Sequence, residues 1–171
     1  LEGELIENAV ICTDLAKADK IWQIRHSVSE ANVRKGFTVA SDTCVPTSSL
    51  PEFIARAAQE LSARLENARI HFTGHLGDGN IHISVIFDRS VYATDELREA
   101  GADIANDIIQ KITFDHGGVI SAEHGVGLAY INQINKYKSN IDINIMSSLK
   151  EFIDKKSIMN PGKVLSKNII A

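Results

Sequence analysis

The segment His75-Leu76-Gly77-Asp78-Gly79-Asn80-Ile81-His82 constrains this chain more than any other. Gly77, Asp78, Gly79 and Asn80 are turn formers, and β-prone residues lie on both sides: Ile70 and Phe72 before, Ile81, Ile83, Val85 and Phe87 after. The pattern predicts strand, tight loop, strand. If the strands pair about the loop centre, His75 falls opposite His82, and opposed side chains in an antiparallel pair sit about 5 Å apart at Cβ. Two imidazoles at that separation suit one metal ion. Ser121-Ala122-Glu123-His124-Gly125-Val126-Gly127 can add a carboxylate and a spare imidazole. Two His and one Glu with an open position describe a catalytic metal site better than a structural one.

Around this hairpin the periodicity changes. Residues 4–11 read as a first strand. Leu15, Ala18, Ile21, Trp22 and Val28 recur at helical spacing, predicting one helix over residues 14–35 with Gly36 as its stop. Residues 37–45 read as a strand ended by Pro46. Ser49-Leu50-Pro51-Glu52 carries a capping-box signature, and the helix it opens places Phe53, Ile54, Ala57, Leu61 and Leu65 on one stripe. Thr94 or Asp95 can cap a helix reaching about Phe114, with Leu97, Ile104, Ile108 and Ile112 inward. Residues 119–122 read as a short strand, and 128–137 and 142–155 as helices ahead of Asn160-Pro161-Gly162. The one clear strand pair is a hairpin, so the expectation is α+β: an antiparallel sheet with helices packed on it and a helical C-terminal subdomain.

Composition narrows the function. The chain has 171 residues, enough for one sizeable domain, and its net charge of −4 leaves no electrostatic footprint for nucleic acid. No apolar run approaches the ~20 residues of a membrane span. The N-terminal residues resemble neither a signal nor a transit peptide, and the missing initiator methionine gives the expectation of a piece of a longer protein. Cys12 and Cys44 form no CxxC pair, which suggests a reducing, cytosolic setting.

Simpler readings stand beside the metal site. Arg25 shares a helical face with Ile21, Trp22 and Ser29, where an arginine can snorkel at the core edge. Asp78 is a turn former before it is a general base. Gly77-Asp78-Gly79 opens no helix and is no dinucleotide fingerprint. His71 and His116 are expected to have no ligand role, and Asn160-Pro161-Gly162 reads as a helix stop. Glu123 and His124 are sequence neighbours, so they can share a site only if the chain bends there; Gly125 and Gly127 make a bend feasible.

Together, His75-Leu-Gly-Asp-Gly-Asn-Ile-His82, Ser121-Ala-Glu-His-Gly-Val-Gly127, Met159-Asn-Pro-Gly-Lys-Val164, Trp22-Gln-Ile-Arg25 and Asp42-Thr-Cys-Val-Pro46 resemble the C-terminal domain of FAD-linked 2-hydroxy-acid dehydrogenases. That family includes D-lactate dehydrogenases, the glycolate oxidase FAD subunit and D-2-hydroxyglutarate dehydrogenase, on the vanillyl-alcohol oxidase fold. The resemblance covers nearly the whole chain in the family's order. It implies a partial, ferredoxin-like substrate (cap) domain over residues 1–122 and closing C-terminal helices over 123–171. The FAD-binding domain, and the first cap strands, would lie outside this chain.

By resemblance, His75, His82 and Glu123 match ligands of a divalent metal such as zinc, and His124 matches the catalytic base. Arg25 matches an arginine on the substrate carboxylate, with Ser29 beside it. Asn160 lies in a segment that the family places near the flavin. Some 2-hydroxyglutarate enzymes have lysine at the position of Ala40 and asparagine at that of Ser84, which leaves a monocarboxylate substrate open here, with Ser84 as a substrate contact. The expected partners are a small 2-hydroxy acid and a quinone or electron-transfer protein as acceptor, in a homodimer that is cytoplasmic or peripheral to the inner membrane. Two further readings stay open: a stand-alone metal-dependent hydrolase with His124 as base, and a non-catalytic metal-binding module.

Overall fold

A computed structural model describes residues 9–165. The expected first strand over residues 4–11 lies mostly outside the described residues, and 9–11 are irregular. The observed fold is α+β. Three antiparallel strands, β1 (Phe37–Cys44), β2 (Ala68–His75) and β3 (Asn80–Phe87), form one sheet in the order β1-β3-β2. Period-two alternation divides its faces. Ile81, Ile83, Val85 and Phe87 of β3 point to a core shared with two helices.

The first of these, α3 (Leu50–Arg64), buries Phe53, Ala57 and Leu61, with Leu65 just beyond its end. The expected capping box does not form: Ser49 makes no side-chain cap, because a 3-10 turn, Thr47–Ser49, runs straight into the helix. Ser49 is therefore already helical (φ −90°, ψ −8°), whereas a capping serine needs extended backbone. The second, α4 (Asp95–Asp115), is capped by the Thr94 side chain and buries Ala105, Ile109 and Ile112. Leu97, expected inward, is half exposed near the helix start. Each large core side chain removed from water contributes ~1.5–3 kcal/mol, so the layer of α3 and α4 on this one sheet face is the stable frame of the fold.

The single helix expected over residues 14–35 is two: α1 (Leu15–His26) and α2 (Val28–Lys35). They separate at Ser27, whose hydroxyl donates to the Ile24 carbonyl at 2.9 Å and competes with the backbone ladder. Both lie toward the sheet face opposite the core, where Asn32 meets His71 at 3.1 Å. Gly36 ends α2 with extended backbone (φ −178°) rather than a left-handed cap. Glycine is required there because a Cβ would sit 2.2 Å from the Phe87 carbonyl oxygen.

Residues 119–122 form no strand. Val119 makes an isolated bridge with Cys44, and the chain then turns. The helices α5 (Ile131–Tyr137) and α6 (Asn140–Ile153) follow, the second opened by a Ser139–Asp142 capping box. They share a small separate cluster of Ile134, Ile143 and Leu165. α6 stops at Asp154, well before Asn160-Pro161-Gly162, because the Asp154 carboxylate accepts from the Ile158 and Met159 amides and from Lys150.

Candidate metal centre

The hairpin register differs from expectation in a way that preserves the site. His75 pairs with Asn80, and His82 pairs with Thr73. The loop is shorter than assumed: a 3-10 turn, Leu76–Asp78, is closed by Gly79 in the left-handed region (φ +70°). His75 and His82 are thus diagonal neighbours. An even offset keeps both on one face, and their ring centroids are 5.8 Å apart.

Glu123 comes to them from the turn after Val119. Its Oε1 lies 2.9 Å from His82 Nε2 and its Oε2 3.7 Å from His75 Nε2. The three residues offer ligand atoms within 4.8 Å of one another. Ligands held ~2.0–2.2 Å from one tetrahedral ion lie roughly 3.3–3.6 Å from each other, so this spacing is close to that of a metal shell. Among the described residues, the buried His82 Nε2 has no aligned hydrogen-bond partner despite the nearby carboxylate. A ring nitrogen and a carboxylate this close without an aligned hydrogen bond are groups that a cation would satisfy.

At the bend that brings Glu123 and His124 together, Gly127 is left-handed (φ +55°) and Asp42 faces the turn. Asp42 Oδ2 accepts from three successive amides, Ala122 at 3.2 Å, Glu123 at 2.8 Å and His124 at 2.7 Å. Its Oδ1 accepts from Asn80 Nδ2 at 2.8 Å. Burial acts to raise the Asp42 carboxyl pKa, but the His124 amide, Asn80, the Glu123 amide and the His124 charge outweigh it, and the pKa lies below 3.8. Amides wrapped about one anion form a nest.

On the same face, Arg25, Ser29, Ala40, Thr73, His82, Ser84 and His124 line a cleft of about 110 Å³. Arg25 and Ser29 come from α1 and α2, Ser84 and His82 from β3, and His124 from the turn. The His124 side chain is 67% exposed, with Nδ1 3.5 Å from Asp42 Oδ2 and its ring 5.5 Å from that of His82. Seven of the eight residues singled out from sequence therefore gather around the sheet's second face. Asn160 does not join them and lines another cleft with Met146, Lys150 and Lys163. His71 and His116 are engaged elsewhere, with Asn32 and the Ile112 carbonyl.

Sequence reasoning quoted Asp42 only within a motif and gave it no role, and it missed Tyr130. Burial, then the Asp42 charge, pushes the Tyr130 phenol up, and a hydrogen bond with Ser41 partly offsets them. The signal for Asp42 was a lone carboxylate inside a β-prone run; its partners lie about 80 positions away and leave no local pattern.

Residues 1–164 match the family described as FAD linked oxidases, C-terminal domain. The chain is 32% identical to D-2-hydroxyglutarate dehydrogenase, mitochondrial, of Arabidopsis thaliana over 172 residues, covering 100% of this chain and 29% of the relative. It is 29% identical to D-2-hydroxyglutarate dehydrogenase of Xanthomonas citri pv. viticola over 165 residues, 96% of this chain and 34% of the relative. It is 32% identical to the probable D-lactate dehydrogenase, mitochondrial, of Danio rerio over 149 residues, 85% of this chain and 29% of the relative. The chain thus spans about a third of the length of these relatives. With its matched length and its motifs in order, the chain belongs to the FAD-linked oxidases as their C-terminal domain.

Proposed function

We propose that this chain is the substrate and metal domain of a flavoenzyme that oxidises a D-2-hydroxy acid to the 2-oxo acid. The observation that carries the reading is the convergence of His75, His82 and Glu123 beside a cleft holding Arg25 and His124. The relatives' names, D-2-hydroxyglutarate and D-lactate dehydrogenase, agree with that substrate class. Family membership favours it over a stand-alone hydrolase or a non-catalytic metal module.

The unpartnered His82 Nε2 and the Glu123 carboxylate fit a divalent cation, with zinc first by donor type. His75, His82 and Glu123 would hold it. Such an ion supplies Lewis acidity that eases loss of the substrate hydroxyl proton. Arg25 holds the carboxylate in a planar two-point contact, which fixes the substrate face, with Ser29 beside it. Ser84 contacts the substrate from the cleft floor. His124, with Nδ1 3.5 Å from Asp42 Oδ2, would accept the hydroxyl proton at Nε2. FAD enters through family membership, bound mainly outside this chain, with Asn160 as the chain's own candidate contact.

In this reading residues 1–122 form the substrate domain and 123–171 the closing helical part. The acceptor is a quinone or electron-transfer protein, and the protein is a homodimer. No helix among the described residues is long and apolar enough to cross a membrane. Cys12 and Cys44 are free thiols, which suits a cytoplasmic setting, free or peripheral to the inner membrane, although several relatives are named mitochondrial.

The test is anaerobic flavin reduction in the full-length protein with a panel of D-2-hydroxy acids. Bleaching that is lost on chelation and restored by zinc is the expected result. A protein that no hydroxy acid reduces, or whose reduction ignores chelation, would overturn the proposal.

A further inference from the structure

We propose that Asp42 is the positioning residue of this site: its carboxylate templates the turn 122–124, so that Glu123 reaches the metal while His124 reaches the substrate. This rests on the function proposed above. The turn has little else to hold it. Residues 121–127 lie in no helix or strand and bury no side chain fully. Ser121 reaches only the His124 carbonyl, within the turn itself. Across the sheet, by contrast, one carboxylate oxygen collects the amides of residues 122, 123 and 124.

The placement of Asp42 links every part of the centre. It stands directly opposite His82 in the β1–β3 register, with Oδ1 3.6 Å from His82 Nε2. Through Oδ1 it also holds Asn80, the register partner of His75. Each proposed ligand and the proposed base is therefore joined to Asp42 directly or through one residue. Its side chain is only 7% exposed, and among the described residues its ion-pair neighbours are imidazoles, not Lys or Arg. A buried carboxylate is costly unless donors surround it, and here the donors belong to the backbone that carries the site.

The test uses the full-length flavoprotein and zinc chloride. Zinc affinity is read by competition with a fluorescent chelator, kcat at saturating zinc, and folding by circular dichroism. Asp42→Ala removes the template, and zinc affinity should fall on the order of 10–100-fold, as for other partners that orient ligands. At saturating zinc kcat should stay at least about tenfold low, because His124 is no longer aimed. Asp42→Asn keeps one oxygen for the three amides. Asn80 can turn its side chain so that Oδ1, otherwise without a partner among the described residues, accepts from the new amide. This variant should recover part of both losses. If Asp42→Ala does not fold, Asp42→Asn decides alone: zinc binding and kcat both reduced support the proposal, and wild-type values overturn it. Loss of thermal stability with unchanged zinc affinity and kcat would mean a merely structural role and overturn it too. A wild-type protein that binds no zinc would instead overturn the metal reading on which it rests.

Discussion

His82 lies diagonal to His75 across the hairpin, and it is the more enclosed of the two: its side chain is 21% exposed against 50%. The enclosed imidazole also holds the shorter approach to Glu123. Both substitutions, His82→Ala and His75→Ala, should lower zinc affinity beyond the ~10–100-fold typical of an outer partner, with His82→Ala the worse. Chelator competition on the two variants checks the order. Equal, wild-type affinities would exclude both residues as ligands.

Glu123 and His124 are adjacent but should fail differently. His124→Ala should lower kcat by ~10²–10⁴-fold while zinc content stays near wild type, since a base acts in the transition state. Glu123→Gln should lose zinc and activity together. Metal analysis beside steady-state kinetics separates the two, and near-normal turnover in His124→Ala would send the proton by another route.

Much of this site was legible because its chemistry sits in compact motifs. The glycine-rich turn between β-prone runs announced a hairpin, and parity alone kept both histidines on one face. The register was not legible, because nothing local said that Leu76–Asp78 would wind into a 3-10 turn and shorten the loop. Helix existence was readable in α3 and α4, whose apolar stripes are long. The break at Ser27 depends on one hydroxyl choosing a backbone carbonyl. The role of Asp42 was illegible for a deeper reason: its contacts exist only once the turn at 122–124 folds back across the sheet.

In its proposed role Arg25 would hold a group that is charged throughout the reaction, so Arg25→Met should act chiefly through substrate binding and orientation. KM should rise and kcat/KM fall, with zinc affinity unchanged. An unchanged KM would return Arg25 to its simpler role at the edge of α1.

Acid should loosen the segment after α6. The bond from Lys150 holds the Asp154 carboxyl below 3.8 against the raising effect of burial, helped by the Met159 and Ile158 amides. A depressed folded pKa gives stability that is fully present above the ordinary value and lost as pH falls through the folded value. Asp154→Asn should therefore lower Tm at pH 7, and the gap from wild type should close in the acid range below 3.8. Thermal melts of both proteins from neutral to strongly acidic pH check this; a gap independent of pH would exclude the carboxylate's charge.

Ala40 and Ser84 face each other across the β1–β3 ladder and line the cleft proposed to take the substrate. Neither carries a charge, and the guanidinium of Arg25 is the one permanent cation among the residues lining it. A substrate with a single carboxylate is matched there, whereas a second carboxylate would enter without a partner and keep its desolvation cost. The full-length enzyme should therefore show a higher kcat/KM for D-lactate or glycolate than for D-2-hydroxyglutarate. Ala40→Lys supplies the missing cation on the cleft floor. A partly exposed pair is worth ~0–1 kcal/mol, so the ratio should move toward the dicarboxylate by only several-fold. Ser84→Asn adds a donor at the facing position and should shift it the same way. Initial rates with the three acids on the wild type and both variants give the answer. A wild-type preference for D-2-hydroxyglutarate would mean that its distal carboxylate is held by groups other than those at positions 40 and 84.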